Sequence, residues 1–237
     1  AYRAGCGLVE VITHMRNREI IGKHLPEALV HVYENAEEAE ELIKKAEAWA
    51  SIIVAGPGIG VTELGASIVE KVLLCKKPLL LDADAITILS QHKEWWEKRK
   101  MSGLPPVVIT PHMKEMERIS GIPMDELKRV PWSSARKLSE DGFICVCKDA
   151  RTVVTEPRHD GCYVNLSGND GMAVGGSGDV LTGVIAGLFA QGLPIGDSAR
   201  LGVYIHGLAG DVAAKKCGRY SMLASDIIDG LTEVLNG

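Results

Sequence analysis

The sequence carries none of the spacings that mark a metal-stapled or disulfide-stapled fold. Its six cysteines, Cys6, Cys75, Cys145, Cys147, Cys162 and Cys217, include no C-x-x-C pair, so the usual zinc spacing is absent. No basic run of any length occurs. The nearest, Glu97-Lys98-Arg99-Lys100, is short, and the formal net charge is -5. A non-specific nucleic-acid binder needs a basic face to displace phosphate counterions, so that class is excluded. No stretch approaches the ~20 apolar residues that span a bilayer; the longest candidate runs only from Val184 to Ala190. Ala1-Tyr2-Arg3-Ala4-Gly5 lacks the basic start and apolar stretch of a signal peptide. Together with unpatterned cysteines, this makes a reducing cytosol the expected compartment. Repeats, low-complexity stretches and Pro/Ser-rich linkers are missing too, so 1–237 reads as a single domain.

What is present is ordinary in bulk and unusual in one residue. Hydrophobic residues make up 46% and charged residues 24%, as in packed globular proteins. Glycine is 26 of 237, about 11% against a usual ~7%. The glycines cluster, and the pattern of elements says where.

Short β-branched runs alternate with helical stretches. Strands are expected at Leu8–Ile12, Ser51–Ala55, Pro78–Asp82 and Val107–Thr110. Helices are expected at Ala36–Ala50, at Thr62–Leu74 with Thr62 as N-cap, from Asp84, from Pro111, and around Asp125–Arg129 and Ser133–Glu140. From Phe143 the pattern changes. Phe143–Lys148, Thr152–Thr155 and Cys162–Leu166 are strands whose links are too short for parallel crossovers, so they should be antiparallel. Cys145 and Cys147 share one face of the first and read as buried apolar side chains. Helices over Asp179–Ala190, Asp197–Lys216 and Ala224–Leu235 close the chain. The expected fold class is α/β, a three-layer α/β/α sandwich around a mostly parallel mixed sheet with an antiparallel patch.

In open α/β sheets ligands bind beyond the carboxyl ends of the strands. Five such ends carry glycine or functional polar residues: Gly56-Pro57-Gly58-Ile59-Gly60, Asp82-Ala83-Asp84, Thr110-Pro111-His112, Lys148-Asp149-Ala150-Arg151-Thr152, and the long run from Ser167 to Asp179. In the last, Gly175-Gly176-Ser177-Gly178 leads directly into an apolar helix. Glycines free backbone N–H groups to face a ligand, and a helix N-terminus carries partial positive charge, so Gly176, Ser177 and Gly178 suit a phosphoryl group. Asp179, expected at the first helical position, is either an acidic cap or a catalytic base; the glycines in front favour the base. No Gly-Lys-Ser/Thr follows, so this is not a Walker A loop, and the Gly56–Gly60 spacing is not a Rossmann fingerprint. That segment is a tight strand-to-helix turn or a close backbone approach to a ligand. His112 is a first-turn helix residue or a ligand contact. Lys148 and Thr152 flank a hairpin turn or clamp a nucleotide. Asp84 reads as an N-cap, and Asp82 as a contact to substrate or, indirectly, to Mg²⁺.

Gly175-Gly176-Ser177-Gly178-Asp179-Val180-Leu181-Thr182-Gly183 resembles the anion-hole and catalytic-Asp signature of ribokinase-like proteins. With Ala55–Gly60, Leu81–Ala85, Thr110–His112 and Glu115, Lys148–Thr152, Gly168-Asn169, Gly171-Met172, His206–Asp211 and Ala224–Ile228, the chain is similar throughout to the ADP/ATP-dependent NAD(P)H-hydrate dehydratase family. The resemblance implies a ribokinase-like fold and a two-step repair. ADP or ATP, with Mg²⁺, phosphorylates the hydroxyl of hydrated NADH or NADPH, and phosphate then leaves. Asp179 would be the base. Gly58, Gly60, His112 and Asp179 would contact the hydrate. Lys148, Asp149, Ala150, Arg151, Thr152 and Gly178 would contact the nucleotide. No direct metal ligand is assigned; Asp82 and Asn169 are the candidates. Lys114 and Asp149 stand where the family usually has glycine. The resemblance also implies that Ala1–Gly5 lies inside the family's first helix, that a strand and glycine loop precede it, that an epimerase domain stands N-terminal in the full-length protein, and that the protein is a homo-oligomer, a tetramer by analogy with the family. A ribokinase-like kinase of small vitamin alcohols and a non-catalytic nucleotide-binding protein are the alternative readings.

Overall fold

A computed structural model describes residues 1–236. After a single 3-10 turn at Tyr2–Ala4, the chain runs β1 (Glu10–His14), α1 (Arg18–His24), β2 (Leu29–Tyr33), α2 (Ala36–Trp49), β3 (Ile53–Ala55), α3 (Glu63–Leu73), β4 (Leu79–Leu81), α4 (Asp84–Gln91), α5 (Lys93–Met101), β5 (Val107–Ile109) and α6 (Met113–Ser120). It continues through α7 (Met124–Arg129), α8 (Pro131–Glu140), β6 (Phe143–Cys147), β7 (Val153–Thr155), β8 (Cys162–Val164), α9 (Ser177–Ala190), α10 (Ile195–Cys217) and α11 (Ala224–Asn236).

Six strands form one sheet in the order β3-β4-β5-β6-β7-β8. β3 to β6 are parallel, and β7 and β8 each run antiparallel to the strand before, as the short links require. Period-two alternation divides the sheet's side chains between two cores. Leu79, Leu81, Val107, Ile109, Phe143, Cys145, Cys147 and Val153 pack with residues of α2, α3, α4, α6, α7 and α8. Leu80, Val108, Ile144, Val146 and Val154 pack with Leu181 and Ile185 of α9 and Ala199 and Val203 of α10. The two clusters make three layers with the sheet in the middle, and α9, α10 and α11 share a further cluster with Ala4. Burial pushes the Cys147 thiol up to about 12 and Cys145 well above its ordinary value, so both are inert apolar fillers of the core.

Several local readings need correction. The first strand begins at Glu10 rather than Leu8, and it pairs in parallel with β2, an element the alternation did not reveal. Pro111 does not open α6: His112 is its N-cap, because the imidazole accepts backbone N–H groups as an Asp or Ser would. Asp84 is the first residue of α4, whose N-cap is Ala83. Asp179 is the third residue of α9, because Gly176, at φ 86, turns the chain into the helix two residues earlier than expected. Ala1–Gly5 forms only the 3-10 turn, ended by Gly5 in the left-handed region. Thr62 caps α3 by accepting the Gly65 N–H at 3.1 Å.

The short basic run belongs to α5. Arg99 is only 2% exposed. Its guanidinium donates to the carbonyls of Leu73, Cys75, Lys77 and Pro105 at 2.6, 2.9, 3.2 and 2.9 Å. It thereby satisfies the end of α3 and the entries to β4 and β5, work that a planar, multi-donor cation does well.

Candidate active site

The sheet is covered on both faces, so whatever follows a strand at its carboxyl end is pulled toward the interior. Asp82, immediately after β4, is 1% exposed. A carboxylate at that depth needs partners. Its Oδ1 accepts from Lys148 Nζ at 2.7 Å, and its Oδ2 from Thr182 Oγ1 at 2.8 Å. Burial pushes the Asp82 carboxyl up. The Lys148 charge and the hydrogen bonds from Lys148, Thr182 and Thr110 outweigh burial and hold it below its ordinary value. Lys148 comes from the end of β6, and Thr182 from the second turn of α9. One carboxylate therefore ties together three of the segments singled out in the sequence.

Gly178 lies against this pair. A β-carbon there would begin 3.0 Å from Lys148 Nζ and 3.9 Å from Asp82 Oδ2, so the absence of a side chain is what lets the first turn of α9 approach the lysine. Ser177 is buried, whereas Gly176 and Asp179 are exposed. The Asp179 carboxylate has no hydrogen bond or ion pair among the described residues. Partial burial pushes its pKa up, the Asp82 charge adds to that, and Lys148 opposes it. A free, exposed carboxylate with a raised pKa is a better proton acceptor than an ordinary aspartate.

The β5 end approaches from the side. Lys148 N–H donates to Pro111 O at 2.8 Å, in an isolated parallel bridge between His112 and Lys148. His112 Nδ1 accepts from the N–H groups of Lys114 and Glu115 at 3.1 and 3.2 Å, and Glu115 Oε2 accepts the His112 N–H at 2.9 Å. With Nδ1 accepting, the neutral ring carries its proton on Nε2, 3.3 Å from Glu115 Oε1, and half of the side chain remains exposed. His112 thus serves as a cap while keeping an open edge. Burial pushes Glu115 up, against the His112 backbone donor and the Lys148 and His112 charges, with Asp82 adding to the rise.

The Gly56–Gly60 turn lies over β4's end. Gly56, at φ 129, tolerates no β-carbon, which would fall 1.7 Å from Asp82 O. Gly58 and Gly60 also take positive φ. The Gly60 N–H donates to Asp84 Oδ2 at 2.9 Å, so Asp84 steadies the glycine turn. Between them Ala83 sits at φ 49, ψ −122, a conformation that costs a non-glycine residue of order 1–3 kcal/mol and gathers at functional sites.

Lys148–Thr152 is the hairpin turn between β6 and β7, with Asp149, Ala150 and Arg151 exposed at its tip. Asn169 lies apart from Asp82: its amide is engaged with α10, donating to Gly210 O and Asp211 Oδ1. No group of three or more His, Cys, Asp or Glu side chains that would hold a metal occurs among the described residues. Sequence reasoning missed Thr182 and His206. Thr182 stands one turn after Asp179, a spacing that marks a shared helix face. His206, 8% exposed and close to Ser177 and Lys148, opens a segment that carried the resemblance, but no metal or motif spacing gave it a role of its own.

Comparison with known proteins places this geometry. The family model described as NAD(P)H-hydrate dehydratase matches residues 1–233. The bifunctional NAD(P)H-hydrate repair enzyme of Escherichia coli is 36% identical over 237 residues, covering 100% of this chain and 43% of the relative. The chain spans about half the length of the bifunctional relatives it matches. A ribokinase-like superfamily protein from Enterococcus faecalis superposes with a TM-score of 0.82 at 32% identity, over 99% of this chain and 78% of that one. The ADP/ATP-dependent NAD(P)H-hydrate dehydratase of Bacillus subtilis, co-crystallised with ATP and Mg²⁺, superposes with a TM-score of 0.82 at 27% identity, over 100% of this chain and 81% of that one. The fold is therefore ribokinase-like, and the chain belongs to the NAD(P)H-hydrate dehydratase family.

Proposed function

We propose that this chain forms a single catalytic domain that uses ADP or ATP to return (S)-NAD(P)H-hydrate to NAD(P)H. The observation that carries the proposal is the meeting, at the carboxyl ends of four strands and the mouth of α9, of an exposed Asp179, a glycine turn and the Lys148–Asp82 pair, in a member of the dehydratase family.

In this reading Gly58, Gly60 and His112 border the hydrate, and the Lys148–Thr152 turn with Gly178 borders the nucleotide. Asp179 accepts the proton of the ring hydroxyl. The freed oxygen attacks the terminal phosphorus, and the nucleotide leaves one phosphate shorter. N–H groups of Gly176 and Gly178 at the helix mouth face the transferring phosphoryl group, where charge accumulates; the Ser177 N–H, which donates to Val174 O at 3.3 Å, would have to leave that carbonyl to join them. The phosphate ester then breaks its carbon–oxygen bond, and loss of a proton from the adjacent carbon restores the double bond. Lys148, held by Asp82, adds a fixed positive charge. Positioning and charge stabilisation are what phosphoryl transfer requires.

Magnesium fits as an ion that the nucleotide carries. Both Asp82 oxygens are already engaged and Asn169 faces α10, so Asp82 would reach the ion through water, as Mg²⁺ sites commonly allow. The ion supplies charge neutralisation on the phosphates. No helix among the described residues is long and apolar enough to cross a membrane. The six free cysteines suit a reducing cytosol. A second activity carried by an N-terminal epimerase domain, and a homo-oligomeric, tetrameric assembly, complete the proposal.

The test is recovery of reduced-nicotinamide absorbance from NADH hydrate or NADPH hydrate with Mg²⁺ and ADP or ATP. Full-length protein that restores no absorbance with either nucleotide refutes the reading. Phosphorylation of a small vitamin alcohol instead would point to a kinase.

A further inference from the structure

Between β8 and α9 the chain runs through Ser167–Gly176 with only one 3-10 turn, Asp170–Met172, of regular structure. This irregular stretch nevertheless delivers Gly176 and Ser177 to one place. What holds it is a short length of α10. Ser167 Oγ donates to Tyr204 O at 2.9 Å. The Gly168 N–H donates to Asp211 Oδ2 at 2.9 Å, and Asn169 Nδ2 donates to Asp211 Oδ1 at 2.9 Å and to Gly210 O at 3.0 Å. Asn169 Oδ1 in turn accepts the Gly171 N–H at 3.1 Å, fixing the 3-10 turn. The two segments touch at bare glycine backbone. A β-carbon at Gly207 would meet Ser167 Oγ at 2.1 Å, and one at Gly210 would meet Met172 Sδ at 2.2 Å. His206, from the same stretch, is buried near Ser177, and its Nε2 has no partner among the described residues.

We propose that Asp211 is a positioning residue: by gripping Gly168 and Asn169 with its two carboxylate oxygens, it sets the loop that presents the Gly176–Gly178 turn and Asp179. The inference rests on the function proposed above. Asp211 touches neither substrate nor nucleotide in that reading and acts through the loop. Its chemistry is specific, because both oxygens face N–H donors. An asparagine there would turn its own N–H₂ against one of them and leave a half-buried donor unpaired. Catalytic geometry is sensitive to such a loss, since a misplacement of about 1 Å far from the chemistry costs roughly a hundredfold in rate.

Asp211→Asn removes the grip from α10, and Asn169→Ala removes it from the loop, so one variant remains if the other does not fold. Three quantities are compared with the unaltered chain: hydrogen exchange of the 168–178 amides, the dissociation constant for ADP with Mg²⁺, and kcat on the hydrate. Both variants should speed exchange of the loop amides about tenfold or more while sheet amides stay protected. Both should weaken ADP and lower kcat by roughly ten- to a hundredfold. Unchanged loop exchange overturns the inference. So does faster exchange with ADP affinity and kcat unaltered, because the clamp would then be structural alone. An unaltered chain that binds ADP but turns over no hydrate refutes the dehydratase reading; the exchange and ADP measurements then decide the positioning role.

Discussion

Acid should destabilise this protein partly through one imidazole. Burial holds His206 down to about 4, opposed by the Ser177 backbone and helped by the Lys148 charge. In the unfolded chain the same ring titrates near its ordinary ~6.5. Between those two values the unfolded chain binds the proton and the folded chain does not, so unfolding becomes easier as pH falls through the window. Linkage over a drop from about pH 7 to about pH 5 gives a loss of about 2 kcal/mol from this group alone. The loss levels off below about pH 4, where both states are protonated. Glu115 and Asp179 are raised and Asp82 is lowered, so these carboxyls add pH dependences of both signs and a single pH profile does not isolate His206. His206→Gln does, because the amide has no proton to gain while the carboxylates are present in both proteins. Urea unfolding at the two pH values should show the unaltered protein losing about 2 kcal/mol more than the variant, equivalent to roughly 4–8 °C in Tm for a chain of this size. Equal losses in the two proteins would refute the reasoning. The stability of the variant at neutral pH does not enter the comparison.

Other perturbations test the site. Lys148→Met leaves the Asp82 carboxylate buried without its cation and should cost about 3–5 kcal/mol in chemical denaturation. Adding Asp82→Asn should return much of that, and no recovery would count against the pair. Asp179→Asn should abolish turnover of the hydrate while nucleotide binding, measured calorimetrically, persists; surviving turnover would remove Asp179 as the base. In the unaltered enzyme the acidic limb of kcat/KM should lie above the ordinary aspartate pKa, because burial and the Asp82 charge raise Asp179. Ala83→Gly releases strain at φ 49 and should raise stability by about 1 kcal/mol after the added backbone entropy of glycine is subtracted; a lower Tm would show that the turn is not strained.

The sequence was readable where structure is local. Strands that are apolar on both faces, such as Leu79–Leu81 and Val107–Ile109, stood out because a doubly covered sheet demands unbroken apolar runs. The antiparallel patch followed from link lengths alone. Leu29–Tyr33 escaped because its partly exposed residues, with His31 in the middle, carry no strong alternation, and its pairing with β1 is a tertiary fact. Glu97–Lys100 read as a short charge run, and the helix around it was not seen, because the burial of Arg99 depends on four carbonyls from other elements. At the site, the glycines and the loop residues were legible at strand ends. The pairing of Asp82 with Lys148 and Thr182 was not, since nothing along the chain says which buried carboxylate meets which cation.

Asp82 also sets a timetable. Its partners lie 66 and 100 residues downstream, so those contacts form only after long stretches of chain have been ordered, when closure of large loops has already been met. A nascent chain emerging from the N-terminal side exposes Asp82 well before Thr182 has been made. Until then water hydrates the carboxylate, and the end of β4 has no reason to close. Any fragment ending before α9 would therefore carry all six strands of the sheet and yet bury a charge with an incomplete set of partners, an unfavourable product for the cell to accumulate. The pair is completed only when α9 is in place, so its completion reports that the chain has been ordered through Thr182.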